Sequence, residues 1–324
     1  MPQNVSIVIC AYTLDRFVDL IAAVASALNQ SPPPEQVVVV IDHNETLLEA
    51  VRRAVPEAVE VVANRFARGL SGARNTGVAV SRGATFFFLD DDAIADRHCA
   101  ATLMARCADR NVIGAGAKIE PLFLAPRPRW FPERFLWVVG CTYEGLEPGP
   151  VRNLLGAAMC LNRETFERIG GFDGALGRGD SALPFGCEET EFCIRASQAF
   201  PGERFLYEPD ACVAHKVPPE RLTLAYFVRR CFAEGVSKAI LTRKTAASHS
   251  LDVERSYLLR TIWREPAAAL GDFVWRGDPT GFLRAWACIL GIASAAAGFA
   301  LQRSGLWRIA QAPSVIAVSP RRAP

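Results

Sequence analysis

The stretch "TFFFLDDDA" (85–93) places three adjacent carboxylates directly after an apolar run that contains three phenylalanines. A short apolar run of this kind predicts a strand buried on both faces. Adjacent like charges repel, and a carboxylate removed from water is costly unless a cation pairs with it. Asp90, Asp91 and Asp92 therefore form either a solvated turn or a site for a cation.

Three further apolar runs precede this stretch. "VSIVICA" (5–11), "QVVVVID" (36–42) and "VEVVAN" (59–64) are rich in β-branched residues, which predicts buried strands. Helical patterns separate the strands, over 16–30, 47–55 and 71–81. Strands that alternate with helices predict an α/β fold with a parallel sheet. Because the strands are continuously apolar, we expect helices on both faces of that sheet.

The pattern changes after residue 110. "NVIGAGAKIE" (111–120) and "RNLLGAAMCLN" (152–162) predict strands, and a segment rich in proline, arginine and aromatic residues lies between them. Asn162 is expected to cap the next helix and Gly170 to end it. The helices predicted in this part of the chain cover 162–173, 187–200 and 222–241.

The charge of the chain is unevenly distributed. The 324 residues are 50% hydrophobic, enough for one large domain or for a domain with an appendage. The net charge of +2 gives no reason to expect a nucleic-acid partner. Residues 217–324 carry 15 Lys and Arg against 7 Asp and Glu, a net of +8, whereas residues 1–216 have a net of −6. This contrast indicates a catalytic body followed by a basic segment that binds a surface.

The cysteines and the N-terminus bear on the cellular compartment. The ten cysteines include no C-x-x-C pair, and several lie in apolar runs, where they are typical of small core residues. We therefore expect a reducing compartment and no disulfide framework. The opening "MPQNVSIVIC" enters a predicted strand without the basic segment of a signal peptide, which favours a cytoplasmic location.

The run "AWACILGIASAAAGFAL" (285–301) contains 17 uncharged residues between Arg284 and Arg303. That length is at the short edge of a membrane span, and the many alanines and glycines make the run only modestly hydrophobic. Three interpretations follow from length and composition. The run is an interfacial or membrane-dipping helix, a buried helix of a soluble domain, or a true span.

Polar residues follow the predicted strands at one edge of the sheet. Asp42 ends the second strand, Arg74 follows the third, and the aspartate triplet ends the fourth. Ligands of open α/β sheets bind at the carboxyl ends of the strands, and these groups suit a nucleotide and its phosphates. Hard oxygen ligands select Mg²⁺ or Mn²⁺, so Asp92, assisted by Asp90, is the expected metal ligand. On these residues alone, a solvated turn stays an alternative.

A second group of acids opens the helix predicted over 187–200. Glu188, Glu189 and Glu191 crowd its first turn, where carboxylates complement the helix dipole on a solvated face. Alternatively, a carboxylate projecting from this end toward a pocket accepts a proton from an acceptor hydroxyl. His215 follows a further apolar segment, and it is either a structural hydrogen-bonding residue or a contact to metal or phosphate.

Taken together, these stretches resemble family 2 glycosyltransferases of the GT-A fold. The resemblance covers roughly residues 5–240 and rests on the order and spacing of seven segments. The segments are "VSIVICAYTLDR", "VVVVIDHN", "ARGLSGARNTGVAVSRG", "FFFLDDDA", "NLLGAAMCLNRETFERIGGFDGALGRG", "CEETEFCIRA" and "VAHKV".

The resemblance implies a Rossmann-like, mainly parallel sheet flanked by helices, with a C-terminal helical extension. The catalytic domain is expected over 1–245, divided into a nucleotide-sugar-binding half (1–110) and an acceptor and catalytic-base half (111–245). The basic, partly apolar helical extension covers 246–324 and is expected to contact the membrane surface.

On the donor side, the resemblance implies a role for seven residues. Ala11, Tyr12 and Asp42 fall where the family holds the nucleoside, and Arg74 falls in its donor-binding stretch. Asp90 and Asp92 match the outer acids of the D-x-D motif, which contact nucleotide and metal respectively, and Asp91 between them is assigned to the donor.

On the acceptor side, the resemblance implies a base and a supporting segment. Glu189 matches the general base of the family's E-D motif. Gly156 and Ala157, with Ala158, match the segment beneath the donor sugar and the acceptor. His215 matches a downstream histidine that reaches the metal or the diphosphate.

The sequence departs from the family pattern in three places. The base is glutamate where the family more often has aspartate, and Glu188 beside it is the alternative base. Asp42 is followed by "HN" instead of the common D-G, so the nucleotide base stays open. No Q-x-x-R-W motif follows the base, which favours transfer of a single sugar over polymerisation.

The activity implied is inverting sugar transfer from a nucleotide-diphosphate sugar with Mg²⁺ or Mn²⁺. The loop "PRPRWFPERFLW" (126–137), which includes Trp130, either packs its aromatics on the body or faces an acceptor or a membrane. With the basic end of the chain, it favours a lipid-linked or cell-envelope glycan acceptor. The enzyme would then be peripheral to the inner face of the cell membrane.

Three other functions compete with this one. A nucleotidyltransferase would have a glycine-rich phosphate loop after the first strand, where "CAYTLDR" has no glycine. A dinucleotide oxidoreductase would have a G-x-G-x-x-G motif at the same place, and this segment contains no glycine. A non-catalytic carbohydrate-binding or scaffold protein remains the alternative outside enzymology, although both the metal acids and a base candidate are present.

Overall fold

The structure is a computed structural model that describes residues 4–175, 186–244, 264, 267–271, 273–275 and 277–305. All ten cysteines fall within these ranges and are free thiols. The described residues thus contain no disulfide.

The N-terminal part forms the parallel half of one sheet, as the apolar runs predict. β1 pairs in parallel with both β2 and β4, and β2 pairs in parallel with β3. The elements are β1 (Val5–Ala11), α1 (Phe17–Leu28), β2 (Gln36–Ile41), α2 (Glu45–Ala54), β3 (Val59–Ala63), α3 (Leu70–Val80) and β4 (Thr85–Asp90).

The remaining strands extend the same sheet with mixed directions. The strand order is β3-β2-β1-β4-β8-β6-β9-β5, and β7 pairs with β9. β8 runs antiparallel to β4 and β6, whereas β6 and β9 are parallel. The elements are β5 (Ala93–Ala95), α4 (Cys99–Cys107), β6 (Val112–Phe123), β7 (Gly149–Val151), β8 (Ala158–Asn162), α5 (Arg163–Ile169), α6 (Glu188–Ala199), β9 (Arg204–Val217), α7 (Leu224–Lys244) and α8 (Thr280–Ser304).

The phenylalanines of β4 supply core to both faces of the sheet. Phe86 and Phe88 pack on one face with Phe166, and Phe87 joins the core on the opposite face. All three β4 rings are at most 1% exposed. Burying a side chain of this size stabilises the fold by about 1.5–3 kcal/mol, so β4 is held firmly up to the point where its carboxylates begin.

Two expectations for the region around Asn162 need correction. Asn162 precedes α5 as expected, but its side chain does not cap the helix. Its Nδ2 instead donates to the backbone oxygen of Val112 at 2.9 Å, across the sheet. The strand predicted over 152–162 is also shorter, because only Ala158–Asn162 pairs with β4 and β6. Gly170 ends α5 with a φ of +78°, as glycine allows.

The apolar C-terminal run lies within α8, which runs along α7. A Cβ added at Gly235 would lie 1.9 Å from the backbone oxygen of Ala295, and one added at Gly298 would lie 2.2 Å from that of Phe232. The two helices therefore approach closely only because glycine occupies these positions. Of the helices in the described residues, α8 is the one that is long and apolar enough to cross a membrane by length and composition.

Candidate active site

The three carboxylates predicted to end β4 lie at the carboxyl edge of the sheet. Asp91 and Asp92 are each only 4% exposed, and Asp90 is more open. β5 begins directly after them and pairs with β9 so that Ala93 lies opposite His215. This register brings Nε2 of His215 to 3.1 Å from Oδ1 of Asp92.

Asp90, Asp92 and His215 form a set of groups suited to a divalent cation. Each offers one ligand atom, and these atoms all lie within 4.8 Å of one another. Carboxylate oxygens and an imidazole nitrogen are ligands that Mn²⁺ and related ions accept. The residues present thus fit a metal ion, and the sequence-based prediction brought together the same three.

Two arginines that the sequence analysis did not single out also contact the triplet. Nη1 of Arg16 lies 2.6 Å from Oδ1 of Asp91 and 3.1 Å from Oδ2 of Asp92, and Nη2 of Arg221 lies 3.4 Å from Asp92. Arg16 follows β1 in "AYTLDR". Because ligands of α/β sheets bind at the carboxyl ends of the strands, its position could have identified it. Arg221 lies in a 3₁₀ turn after β9, and no local pattern marks it.

These cations decide the charge of Asp92. Burial favours the neutral acid, but the hydrogen bond with His215 and the charges of His215, Arg221 and Arg16 outweigh it. Together they hold the pKa of Asp92 well below its usual range. The carboxylate is therefore ionised and available as a metal ligand at any physiological pH.

Arg74 connects the triplet with the acids of α6. Its guanidinium is buried and donates to Oε1 of Glu188 and to the backbone oxygen of Gly156, each at 3.0 Å. Its Nη2 also lies 3.7 Å from Oδ1 of Asp90. Burial alone would lower the pKa of Arg74, but the charges of Glu188 and Asp90 raise it, so this cation is permanent.

The structure gives the three acids of α6 different environments. Glu188 is 4% exposed and paired with Arg74, and Glu191 is paired with Arg195 through contacts of 2.6 and 2.9 Å. Glu189 is partly exposed. Burial and the neighbouring charge of Glu188 raise the pKa of Glu189 to about 8, against the opposing effect of Arg74. Glu189 is thus an accessible and unusually basic carboxylate.

The predicted nucleoside-binding residues meet at the ends of β1 and β2. The backbone N–H of Asp42 donates to the oxygen of Ala11 at 2.8 Å. The carboxylate of Asp42 accepts from Nδ2 of Asn64 at 2.6 Å and from the N–H of Gly69 at 2.9 Å, which orients it. Tyr12 is 52% exposed at the same edge, so its ring is available to a ligand.

The segment predicted to lie beneath the donor sugar does join the same group. The backbone oxygen of Ala157 accepts from the N–H of Asp90 at 3.1 Å. A Cβ at Gly156 would lie 2.8 Å from Nη2 of Arg74, so the bridging contact of Arg74 requires glycine there.

The aromatic loop lies against α7. The ring of Trp130 packs edge-on against Phe227 with the centroids 5.6 Å apart, and Phe131 is completely buried against the same ring. Of the two interpretations of this loop, these contacts correspond to aromatics packed on the body. Trp130 keeps part of its surface exposed.

Sequence comparison identifies relatives over most of the chain. The family model described as "Glycosyl transferase family 2" matches residues 6–170. A glucosyl-dolichyl phosphate glucuronosyltransferase of Haloferax volcanii is 32% identical over 245 residues, which are 74% of this chain and 77% of that protein. A pre-mycofactocin glycosyltransferase of Mycobacterium tuberculosis is 25% identical over 220 residues, 66% of this chain and 43% of the relative.

Solved structures share the fold. The mannosyltransferase PcManGT from Pyrobaculum calidifontis, in complex with GDP-Man and Mn²⁺, is similar with a TM-score of 0.60 at 21% identity, over 92% of this chain and 87% of that one. GalNAc-T7 with UDP, GalNAc and Mn²⁺ is similar with a TM-score of 0.52 at 17% identity, over 79% and 53% of the two chains. The chain therefore belongs to glycosyl transferase family 2 and is a glycosyltransferase with the GT-A fold.

Proposed function

We propose that this enzyme transfers one sugar, with inversion, from a nucleotide-diphosphate sugar to a hydroxyl of a lipid-linked glycan. One observation carries the proposal. Arg74 holds Glu188 on one side and approaches Asp90 on the other, so the metal-ligand set and the basic carboxylate Glu189 share one edge of the sheet. A single displacement at a sugar carbon needs a site that binds an ion beside the leaving group, and a proton acceptor close to that site.

Ala11, Tyr12 and Asp42 would hold the nucleoside, and the triplet would face its diphosphate. Asp90, Asp92 and His215 would ligate Mg²⁺ or Mn²⁺, and Mn²⁺ accompanies the nucleotide in both solved structures described above. The bound ion supplies Lewis-acid stabilisation of the departing diphosphate. Arg16 and Arg221 add positive charge beside it, which favours an anionic leaving group.

Glu189 would act as the general base. It accepts the proton of the acceptor hydroxyl, whose oxygen then attacks the anomeric carbon from the face opposite the leaving group. Glu188 is 4% exposed and pairs with Arg74 through Oε1, so it is less accessible to an acceptor than Glu189. Its role is to keep Arg74 in place and to raise the pKa of Glu189. A single displacement of this kind inverts the anomeric configuration and needs no covalent intermediate.

The lipid-linked acceptor is proposed from the Haloferax volcanii relative, whose name states glucosyl-dolichyl phosphate as its acceptor. Gly156 and Ala157 would lie beneath the reacting sugars, and Trp130 would lie on the acceptor side. An acceptor of this class resides in a membrane, so we place the enzyme in the cytoplasm, peripheral to the inner face of the cell membrane.

Calorimetric titration of UDP, GDP and dTDP, each with and without Mn²⁺, tests the donor site. We expect tight binding of one nucleotide that is lost when the metal is removed. Sugars linked to the nucleotide that binds are then incubated with the enzyme and a glucosyl polyprenyl phosphate. Mass spectrometry measures the mass of the lipid product. Nucleotide binding with neither transfer nor slow release of free sugar would contradict the proposal and indicate a non-catalytic binding protein.

A further inference from the structure

The outward side of α8 is apolar along almost its whole length. Seven of its exposed residues recur at helical spacing and form an apolar stripe. They are Phe282, Trp286, Ile289, Ala293, Ala296, Ala297 and Ala300. A helix on the surface of a soluble domain normally turns charged and polar residues outward, so packing among the described residues does not explain this stripe.

The segment just before α8 continues the same surface. Leu270, Phe273, Val274 and Trp275 are exposed, Trp275 by 87%. The rings of Phe273 and Phe282 pack edge-on at 5.4 Å, which joins the two segments. We call the combined surface the apolar face. It consists of Leu270, Phe273, Val274, Trp275, Phe282, Leu283, Trp286 and Ile289.

We propose that the apolar face docks in the plane of an anionic phospholipid surface. Large exposed apolar surfaces mark interaction sites, and the two tryptophans are residues that favour the boundary between headgroups and acyl chains. Arg264 and Arg303 are exposed on either side of the face along the chain. In the sequence, residues 217–324 carry a net charge of +8. Basic charge around an apolar surface complements anionic headgroups.

The packing of α8 favours an orientation along the surface over a span. The opposite side of α8 is closed against α7, where Gly291 meets Phe227 and Gly298 meets Val236. Further along, Arg243 of α7 donates to the backbone oxygens of Gln302 and Arg303 at 2.8 Å. The two helices thus run together in the same direction. A spanning α8 would carry the charged residues of α7 into the hydrocarbon, at high cost. Those residues are Arg229, Arg230, Glu234, Lys238 and Arg243.

α7 also connects the apolar face with the proposed base. Glu234 accepts from the thiol of Cys187 at 3.5 Å and from Nη1 of Arg230 at 2.9 Å. Cys187 directly precedes Glu188 and Glu189 at the start of α6. A docked α8 would therefore hold the end of α6 near the headgroups, and this last step rests on the proposed lipid-linked acceptor.

Vesicle flotation of the full chain tests the docking. The vesicles contain phosphatidylglycerol and phosphatidylcholine without any acceptor lipid. The double variant Trp275→Ser/Trp286→Ser removes two side chains of the face. The control Val18→Ser/Leu122→Ser removes two apolar side chains that are 76% and 43% exposed elsewhere. We expect the wild type and the control to float, and the face variant to partition at least about tenfold less. Circular dichroism checks that all three fold.

Two further measurements separate this inference from the proposed function. Transfer to a short-chain, soluble acceptor should be equal in the wild type and the face variant. Alkaline carbonate should release the wild type from the vesicles, since an in-plane helix is extractable. A wild type that stays in the pellet after carbonate, or that does not float, overturns the inference. The inference is also overturned if the face variant floats as well as the wild type. The same holds if the wild type and the control are dimers and the face variant alone is a monomer.

Discussion

Nη1 of Arg74 lies 3.0 Å from Oε1 of Glu188, although 114 residues separate the two along the chain. Both side chains are almost completely buried, and Oε2 of Glu188 has no hydrogen-bond partner among the described residues. The contact joins α3, which follows the third strand, to α6, which carries the proposed base. It therefore links the two halves of the site.

Replacing Arg74 by methionine should destabilise the fold. The substitution leaves Glu188 as an unpaired buried carboxylate, and losing one partner of a buried ion pair typically costs about 3–5 kcal/mol. Urea unfolding measures the free energy of unfolding. The double variant Arg74→Met/Glu188→Gln should lose less than the sum of the two single variants. Additive effects would show that the pair does not interact.

Glu189→Gln should abolish transfer while leaving the donor site intact. The amide cannot take the proton from the acceptor hydroxyl, and loss of a general base costs on the order of 10²–10⁴-fold in rate. Nucleotide binding by calorimetry should be unchanged. Glu167→Gln, an exposed acid on α5, is the matched control and should keep full activity. Turnover near that of the wild type in Glu189→Gln would remove Glu189 from this role.

The rate should depend on pH through Glu189. Because its pKa is raised to about 8, the fraction in the base form grows as the pH rises through that value, and kcat/KM should rise with it. The same shift makes the fold less stable as the pH rises from about 4.5 to about 8, because the unfolded chain releases this proton first.

Glu188→Gln supplies the check on that pH dependence. Removing the neighbouring negative charge lowers the pKa of Glu189, so the rising limb of kcat/KM should move to lower pH. The position of the limb is read from the pH profile and does not depend on the absolute rate. A limb that stays in place would mean that a group other than Glu189 controls the rate.

Asp92→Asn should remove metal-dependent nucleotide binding. Asp92 is the carboxylate that His215, Arg16 and Arg221 surround, and an amide is a weaker ligand for a divalent ion. Calorimetry with and without Mn²⁺ measures the effect. Asp96→Asn, an exposed acid just after β5, should bind as the wild type does. Unchanged Mn²⁺ dependence in Asp92→Asn would refute the proposed ligand set.

Gly235→Ala should weaken the contact between α7 and α8. The new Cβ would lie 1.9 Å from the backbone oxygen of Ala295, so the helices must separate, and such overpacking costs about 1–3 kcal/mol. Gly271→Ala is the control. No atom lies within 4 Å of its Cβ position, so the fold should be unchanged or slightly more stable. Thermal unfolding by circular dichroism compares the two, and equal melting temperatures would contradict the prediction.

The parallel half of the fold was predictable because its signals are local. β1, β2 and β4 are short apolar runs that end in polar residues, and such runs predict buried strands whatever surrounds them. Asp90, Asp92, Glu189 and His215 were singled out as candidate site residues from short motifs in a fixed order.

Other features were not predictable, because their causes are distant in the chain. The sequence predicted Asn162 to be a helix cap. In the structure its side chain instead donates to the backbone oxygen of Val112, at the start of β6. Arg221 has no motif of its own, and it reaches Asp92 only because β9 carries the chain back to β5. Whether the apolar run of α8 is buried depended on where α7 lies.

By itself, the sequence determined most strands and helices of the N-terminal half and gave the candidate site residues, because periodicity and motifs depend on near neighbours. Only the tertiary structure gave the acids of α6 different surroundings, and the choice of Glu189 as the proposed base rests on that difference. The motif match in the sequence favoured Glu189, with Glu188 as the alternative. In the structure, Glu191 pairs with Arg195 of the same helix, whereas Glu188 pairs with Arg74 of α3, far away in the chain. Charge and solvent access at a side chain depend on groups that folding brings within a few ångströms, however far apart they are in the chain.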